Sequence, residues 1–182
     1  MLFARLSTSL LRLARTGLVA GCAFTVVHAG GIKSERLLAS ILRRTPEATL
    51  VAVGEQFKRA ETAAAEIPMA EAFFGVGHSM EPLYASKTAI VVAPIPFKDL
   101  EKGMTVVYVN SRGRLVAHSL TGDLPRGWIA QGVANSEEDD DLVTKENLVG
   151  VIIMAFAEMH SDGRVALTKN LIAKGRLAAN RT

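Results

Sequence analysis

Cysteine is almost missing from this chain. The single residue, Cys22, excludes an internal disulfide and any cysteine-rich zinc or iron–sulfur centre, so the fold has to rest on its core. Aromatic residues are scarce at 5%, and no apolar run reaches the roughly 20 residues that cross a bilayer comfortably. Internal repeats and low-complexity tracts are absent as well, which excludes solenoid and collagen-like architectures. What remains is 182 residues, 49% hydrophobic and 21% charged, the composition of one globular domain with a tail. At this size about two-thirds of the unfolded surface can be buried without metals or cross-links.

Acidic residues are missing before Glu35, while Arg5, Arg12 and Arg15 are present. Residues 1–60 hold nine Lys/Arg against three Asp/Glu; residues 61–182 hold twelve against fifteen. The basic character therefore belongs to the N-terminal third, which argues against a nucleic-acid-binding core and for a front end that meets anionic lipid or a targeting machinery. The arginines precede a sixteen-residue apolar stretch, Gly17 to Ile32, in the order of a signal sequence. A true span, a tilted anchor, an interfacial segment and a helix packed on its own domain are the readings of residues 1–32. Val27-His28-Ala29 has the small residues of a cleavage site. Val19-Ala20-Gly21-Cys22 resembles a lipoprotein box, but too few apolar residues separate it from Arg15.

From 33 to 70 the pattern is helical and reads as a connector or lid. Ser34 caps a helix through Arg44 with Leu37, Leu38, Ile41 and Leu42 on one side, and Pro46 ends it. A second helix is expected over about Glu55 to Ile67, with Ala60, Ala63, Ala64 and Ile67 at helical spacing. After Pro68 the texture changes to short strands at Ala89–Val92, Thr105–Asn110, Arg114–Leu120, Trp128–Gln131 and Leu148–Phe156. Asn110 to Gly113 suits a hairpin loop in which Gly113 takes positive φ. The expected fold is mainly β over residues 71–160 with N-terminal helices, α+β overall, followed by a basic tail over 161–182.

The chemistry concentrates at Gly75-Val76-Gly77-His78-Ser79-Met80-Glu81-Pro82-Leu83. Glycines let a ligand's main chain approach, and Pro82 fixes the chain just after a small hydroxyl residue. Ser79 needs a base within hydrogen-bond reach to become a nucleophile. His78 is adjacent, yet neighbouring side chains of an extended segment point to opposite faces. His118 shares one face of its strand with Val116 and Leu120; partial burial there keeps an imidazole neutral, the form a general base requires. A satisfied core histidine is the bland alternative, and spacing alone does not choose between them. Lys98 and Lys102 fall in a connecting turn.

Gly77-His78-Ser79-Met80-Glu81-Pro82 resembles the nucleophile box of type I signal peptidases and the related LexA/UmuD-type peptidases. Asp99 to Tyr108 is similar to the strand that follows in that family, and Leu115-Val116-Ala117-His118 falls where its general base stands. Some members use lysine there; this chain resembles the histidine version, with Ser119 where an arginine is expected. The resemblance spans roughly residues 72–157 and implies a catalytic β-domain of that type. In the family's last loop, Gln131 to Asp141 keeps Gly132 and Asn135 but has Val133 in place of the first aspartate. Aligned on Gly132, Asp139 takes the position of the carboxylate that supports the histidine, with Asp140 as the alternative and a solvated acidic loop as the bland reading.

The resemblance thus implies a Ser79/His118/Asp139 endopeptidase with Gly77, Met80 and Pro82 in its substrate and oxyanion loop. It implies a signal-peptide-like polypeptide substrate with small residues before the cut, and no metal or cofactor. Lipid contact through the N-terminus would make it membrane-associated. Two rival expectations stand beside it: a LexA/UmuD-like autoprotease cutting at Ala20-Gly21 or Ala29-Gly30, and a catalytically inactive membrane-anchored β-domain serving as a binding or assembly module.

Overall fold

One sheet of seven strands organises the molecule, seen in a computed structural model that describes residues 31–159. The strands are β1 (Ala48–Val51), β2 (Glu71–Phe74), β3 (Ala89–Ala93), β4 (Thr105–Val109), β5 (Leu115–Leu124), β6 (Gly127–Gln131) and β7 (Leu148–Glu158). Their spatial order is β2-β3-β7-β4-β5-β6, with β1 also on β7. Every pairing is antiparallel except β1 with β7. The eleven-residue β7 is the hub. One of its edges takes β3, and the other takes β4 near Val151 and β1 from Ala155 to Glu158.

The apolar runs Ala89–Ala93 and Thr105–Val109 are buried almost throughout, the pattern of strands covered on both faces. Two helices help to cover them. On one face α1 (Glu35–Arg44) inserts Ile41 and Leu42 into a cluster with Met80, Leu83, Tyr84, Ile90, Val92, Val107, Val133 and Ile152. On the other, α2 (Gln56–Ala65) lays Ala60 and Ala64 against Ala89 and Val91. A third cluster, Leu100, Val106, Tyr108, Leu120, Ala130 and Val143, fills the β4–β5–β6 end. Helix α1 begins where its sequence says it should: the Ser34 hydroxyl accepts the Leu37 N–H, and Thr45 and Pro46 close the other end.

Several expectations are corrected here. The stretch 33–70 is not purely helical, because Ala48–Val51 forms β1 between the two helices. Nor is it a layer apart, since Ile41 is fully buried in the main core and β1 hydrogen-bonds to β7. The second helix is shorter than expected, Gln56–Ala65. Strand β2 is an addition, and β5 runs four residues past Leu120, with a bulge between Leu120 and Gly122 where it pairs with β6. The hairpin loop stands as expected, with Gly113 at φ 71°.

At the N-terminal boundary, the Ile32 N–H donates to the Val133 carbonyl at 3.2 Å and its side chain packs on the core, so Ile32 belongs to the domain. The rest of the expected membrane segment, together with His160 and the tail 161–182, lies outside the described residues. No helix among the described residues is long and apolar enough to cross a membrane.

Candidate active site

The loop between β2 and β3 is built to hold one hydroxyl. At its base the Gly75 N–H donates to Thr88 O and the Lys87 N–H to Gly75 O, continuing the β2–β3 ladder outward. Gly77 then turns the chain at φ 110°, where an L side chain would be strained. A helical turn follows, in which Glu81 donates to His78 O, and Leu83 and Tyr84 both donate to Met80 O. Met80, Leu83 and Tyr84 are buried, and the Tyr84 hydroxyl donates to Pro46 O at 2.7 Å, so the turn is fastened from below. Ser79 is left half-buried at the start of the turn, its own N–H without a hydrogen-bond partner among the described residues.

Strand β5 brings up His118, which lies opposite Val106 of β4 and is 7% exposed. His118 Nε2 is 2.9 Å from Ser79 Oγ, and His118 Nδ1 is 2.6 Å from Asp139 Oδ2. The loop after β6 makes both contacts possible. Its Ala134 N–H donates to the Ser79 carbonyl at 2.8 Å, and its Asp139 N–H returns to Ala130 O at 2.8 Å, which turns the carboxylate toward His118. Gly132 starts this loop in close contact with Ser79: a Cβ there would sit 2.8 Å from the Ser79 carbonyl oxygen.

The acidic run separates by contact. Asp139 meets His118, and Asp141 accepts the backbone and hydroxyl hydrogens of Ser111, both at 2.9 Å, tying the run to the β4–β5 hairpin. Asp140, the alternative partner for His118, is exposed and has no hydrogen bond among the described residues, as do Glu137 and Glu138. Val133 is a core residue at 5% exposure, and Ser119 is buried beside Thr105 at 2.9 Å. Gly77 and Met80 line the cleft next to Ser79, while Pro82 sits in the turn beyond, joined to Glu81 by a cis peptide bond. His78 is exposed and pairs with Glu81 at 2.9 Å, and Lys98 and Lys102 are exposed turn residues.

Sequence reading passed over Tyr108. Its hydroxyl donates to Asp139 Oδ2 at 2.7 Å, the same oxygen that faces His118. Burial, and then the hydrogen bond and negative charge of Asp139, push this phenol well above its ordinary range, so it stays protonated and a donor. The signal was present in principle: Tyr108 lies opposite Val116 in a register that pairs Val106 with His118, which puts phenol and imidazole on one face.

Two clefts meet at His118. One, of about 420 Å³, is mostly apolar, with Phe73, Val76, Ile90, Val107 and Leu115 among the residues that border Ser79. The other, of about 630 Å³, is polar and faces Arg112, Asn135 and residues 137–141. No group of three or more His, Cys, Asp or Glu among the described residues could hold a metal ion. A hydroxyl, an imidazole and a carboxylate in sequence can move a proton from the hydroxyl and stabilise the imidazolium that results. No family model, no curated protein and no solved structure matches the chain.

Proposed function

We propose that this protein is a serine endopeptidase of the type I signal peptidase kind, cutting after small residues in membrane-associated polypeptides. The observation that carries the reading is the continuous chain Ser79 Oγ, His118 and Asp139, at 2.9 and 2.6 Å, beside an apolar cleft. Ser79 attacks the scissile carbonyl while His118 Nε2 accepts its proton, later returning it to the leaving amine. Asp139 keeps the proton-bearing Nδ1 turned toward itself and stabilises the imidazolium. The unpartnered Ser79 N–H is one donor for the oxyanion. Partial burial of Ser79 and His118 keeps bulk water from diluting these interactions. The resemblance in residues 77–82 and 115–118 supports the substrate class, and the three arginines before an apolar stretch support delivery of the active face to a bilayer carrying the substrate.

Ser79→Ala tests this directly. It is expected to abolish cleavage of a peptide with small residues before the scissile bond while leaving the melting temperature nearly unchanged; retained turnover overturns the assignment. His118→Ala is expected to lose most activity as well.

A second reading, self-cleavage, is favoured by one observation. Ile32 is tied to Val133, next to the Ala134 that holds Ser79, so the described residues start beside the site. Incubating the wild-type protein alone and sequencing for a new N-terminus after Ala20 or Ala29 tests it. An unchanged N-terminus removes it.

A further inference from the structure

We infer that Tyr108 is a positioning residue of the Ser79–His118–Asp139 relay, fixing the Asp139 carboxylate and moderating its pull on the histidine proton. The inference rests on the peptidase reading above for its kinetic consequence, but not for its geometry. A carboxylate on a loop has a free rotor. Asp139 follows three exposed residues, Ser136, Glu137 and Glu138, and among the described residues its backbone is held by one bond, from its N–H to Ala130 O. The side chain therefore takes its direction from what it touches, and the two groups that touch it are His118 Nδ1 at 2.6 Å and the Tyr108 hydroxyl at 2.7 Å, both on Oδ2.

The two partners differ in rigidity and in charge. Tyr108 is 1% exposed, in the middle of β4 with strands paired on both sides, and its ring belongs to the cluster of Val106, Leu120 and Ala130. It is a fixed post. Its phenol stays protonated across any working pH, so it donates in every catalytic state, whereas His118 gains and loses a proton. Two donors on one oxygen share its electron density. The Tyr108 hydroxyl thereby competes with His118 Nδ1–H for Oδ2 and moderates the pull of Asp139 on the histidine proton. The other charged groups facing this cluster are Arg112 on the β4–β5 hairpin and the acidic residues 137–141, of which Asp141 is occupied by Ser111. These are unchanged by a substitution at 108.

Tyr108→Phe removes the hydroxyl and keeps the ring, so the core volume is conserved. The test uses the full-length protein and two readouts. In the first, the His118 imidazole is titrated by NMR without substrate, with His118→Gln assigning its signals among the four histidines. In the variant the midpoint is expected to rise by about half a pH unit or more, and the downfield Nδ1–H resonance to shift, because Asp139 has lost a competing donor. In the second, turnover of the small-residue peptide is expected to fall on the order of tenfold in kcat with KM little changed, its acid limb moving to higher pH with the midpoint. A purely structural role would lower the melting temperature and leave the midpoint in place. A midpoint that does not rise overturns the inference even if activity falls. If wild-type protein shows no peptidase activity, the peptidase reading fails by itself, and the midpoint shift still decides the role of Tyr108.

Discussion

Adding one methyl group at Gly132 is expected to disable the site without unfolding the domain. The backbone of Gly132 lies outside the left-handed region, so alanine meets no conformational strain there and the effect is steric. The new Cβ would lie 2.8 Å from Asn135 Nδ2 and 2.8 Å from the Ser79 carbonyl oxygen, where ordinary contact begins at 3.4 Å. The Asn135 amide is the end of a side chain and can turn aside. The carbonyl is backbone, held also by the Ala134 N–H, and has to retreat by roughly 0.6 Å, the difference between those two distances. Ser79 Oγ shifts with it relative to an imidazole whose place is fixed by β5. A misplacement of about 1 Å in a reacting group costs on the order of 10²-fold, so a drop of about tenfold in kcat/KM is the expected scale. Overpacking of this kind costs about 1–3 kcal/mol of stability, too little to unfold an ordinary domain. The assay pairs peptide turnover with urea denaturation, and Gly122→Ala serves as the control, since its Cβ would meet only the Ile129 side chain at 3.4 Å. Wild-type kcat/KM in Gly132→Ala would refute the idea that this contact sets the serine, and an equal loss in Gly122→Ala would show the loss to be nonspecific.

Three further outcomes are expected. Among the acids, Asp139→Asn should cost up to about 10⁴-fold in kcat, as loss of a triad carboxylate can, whereas Asp140→Asn should stay within about twofold; equal effects in a turnover assay would contradict the contact pattern. Ile41→Ala should lower unfolding free energy by about 2–5 kcal/mol in chemical denaturation, because α1 is core and not a detachable connector; a change under about 1 kcal/mol would restore the connector. Removing residues 1–30, and not 1–32, should abolish binding to anionic vesicles in a flotation assay while the melting temperature is kept. Undiminished vesicle binding would move the lipid contact elsewhere.

The parts of this molecule that were legible in the sequence are those whose signal is local. Ser34 and Pro46 bracket α1 because capping and proline geometry act within a few residues. The β4–β5 hairpin announces itself through Asn110 and Gly113. Ser79 and His118 stand out in the sequence as candidates, yet their meeting at 2.9 Å depends on the β4–β5 register and on the loop from Gly132 to Asp139, which no short window encodes. Strand β1 was lost for a related reason: four residues, Ala48 to Val51, are too few to display alternation, and they are extended because β7 offers a free edge more than a hundred positions later. Tyr108 looked like one more apolar strand residue, since its hydroxyl acquires meaning only from Asp139, thirty-one positions on. Val133 departs from the carboxylate that the resemblance implies, and its place in the core cluster beneath the serine turn accounts for the valine.

The hub position of β7 carries a consequence for the order of events at the ribosome. Ser79 hangs from the β2–β3 unit and His118 stands on the β4–β5–β6 unit, and in the order of the sheet these two units are joined through β7. The strand that fastens them together follows both in the chain and is the last of the described strands. Until β7 is in place no strand joins the two units in the sheet, and the meeting of Ser79 with His118 rests on the loop after β6, whose Ala134 N–H donates to the Ser79 carbonyl. On the peptidase proposal, competence arrives with this strand, late in synthesis.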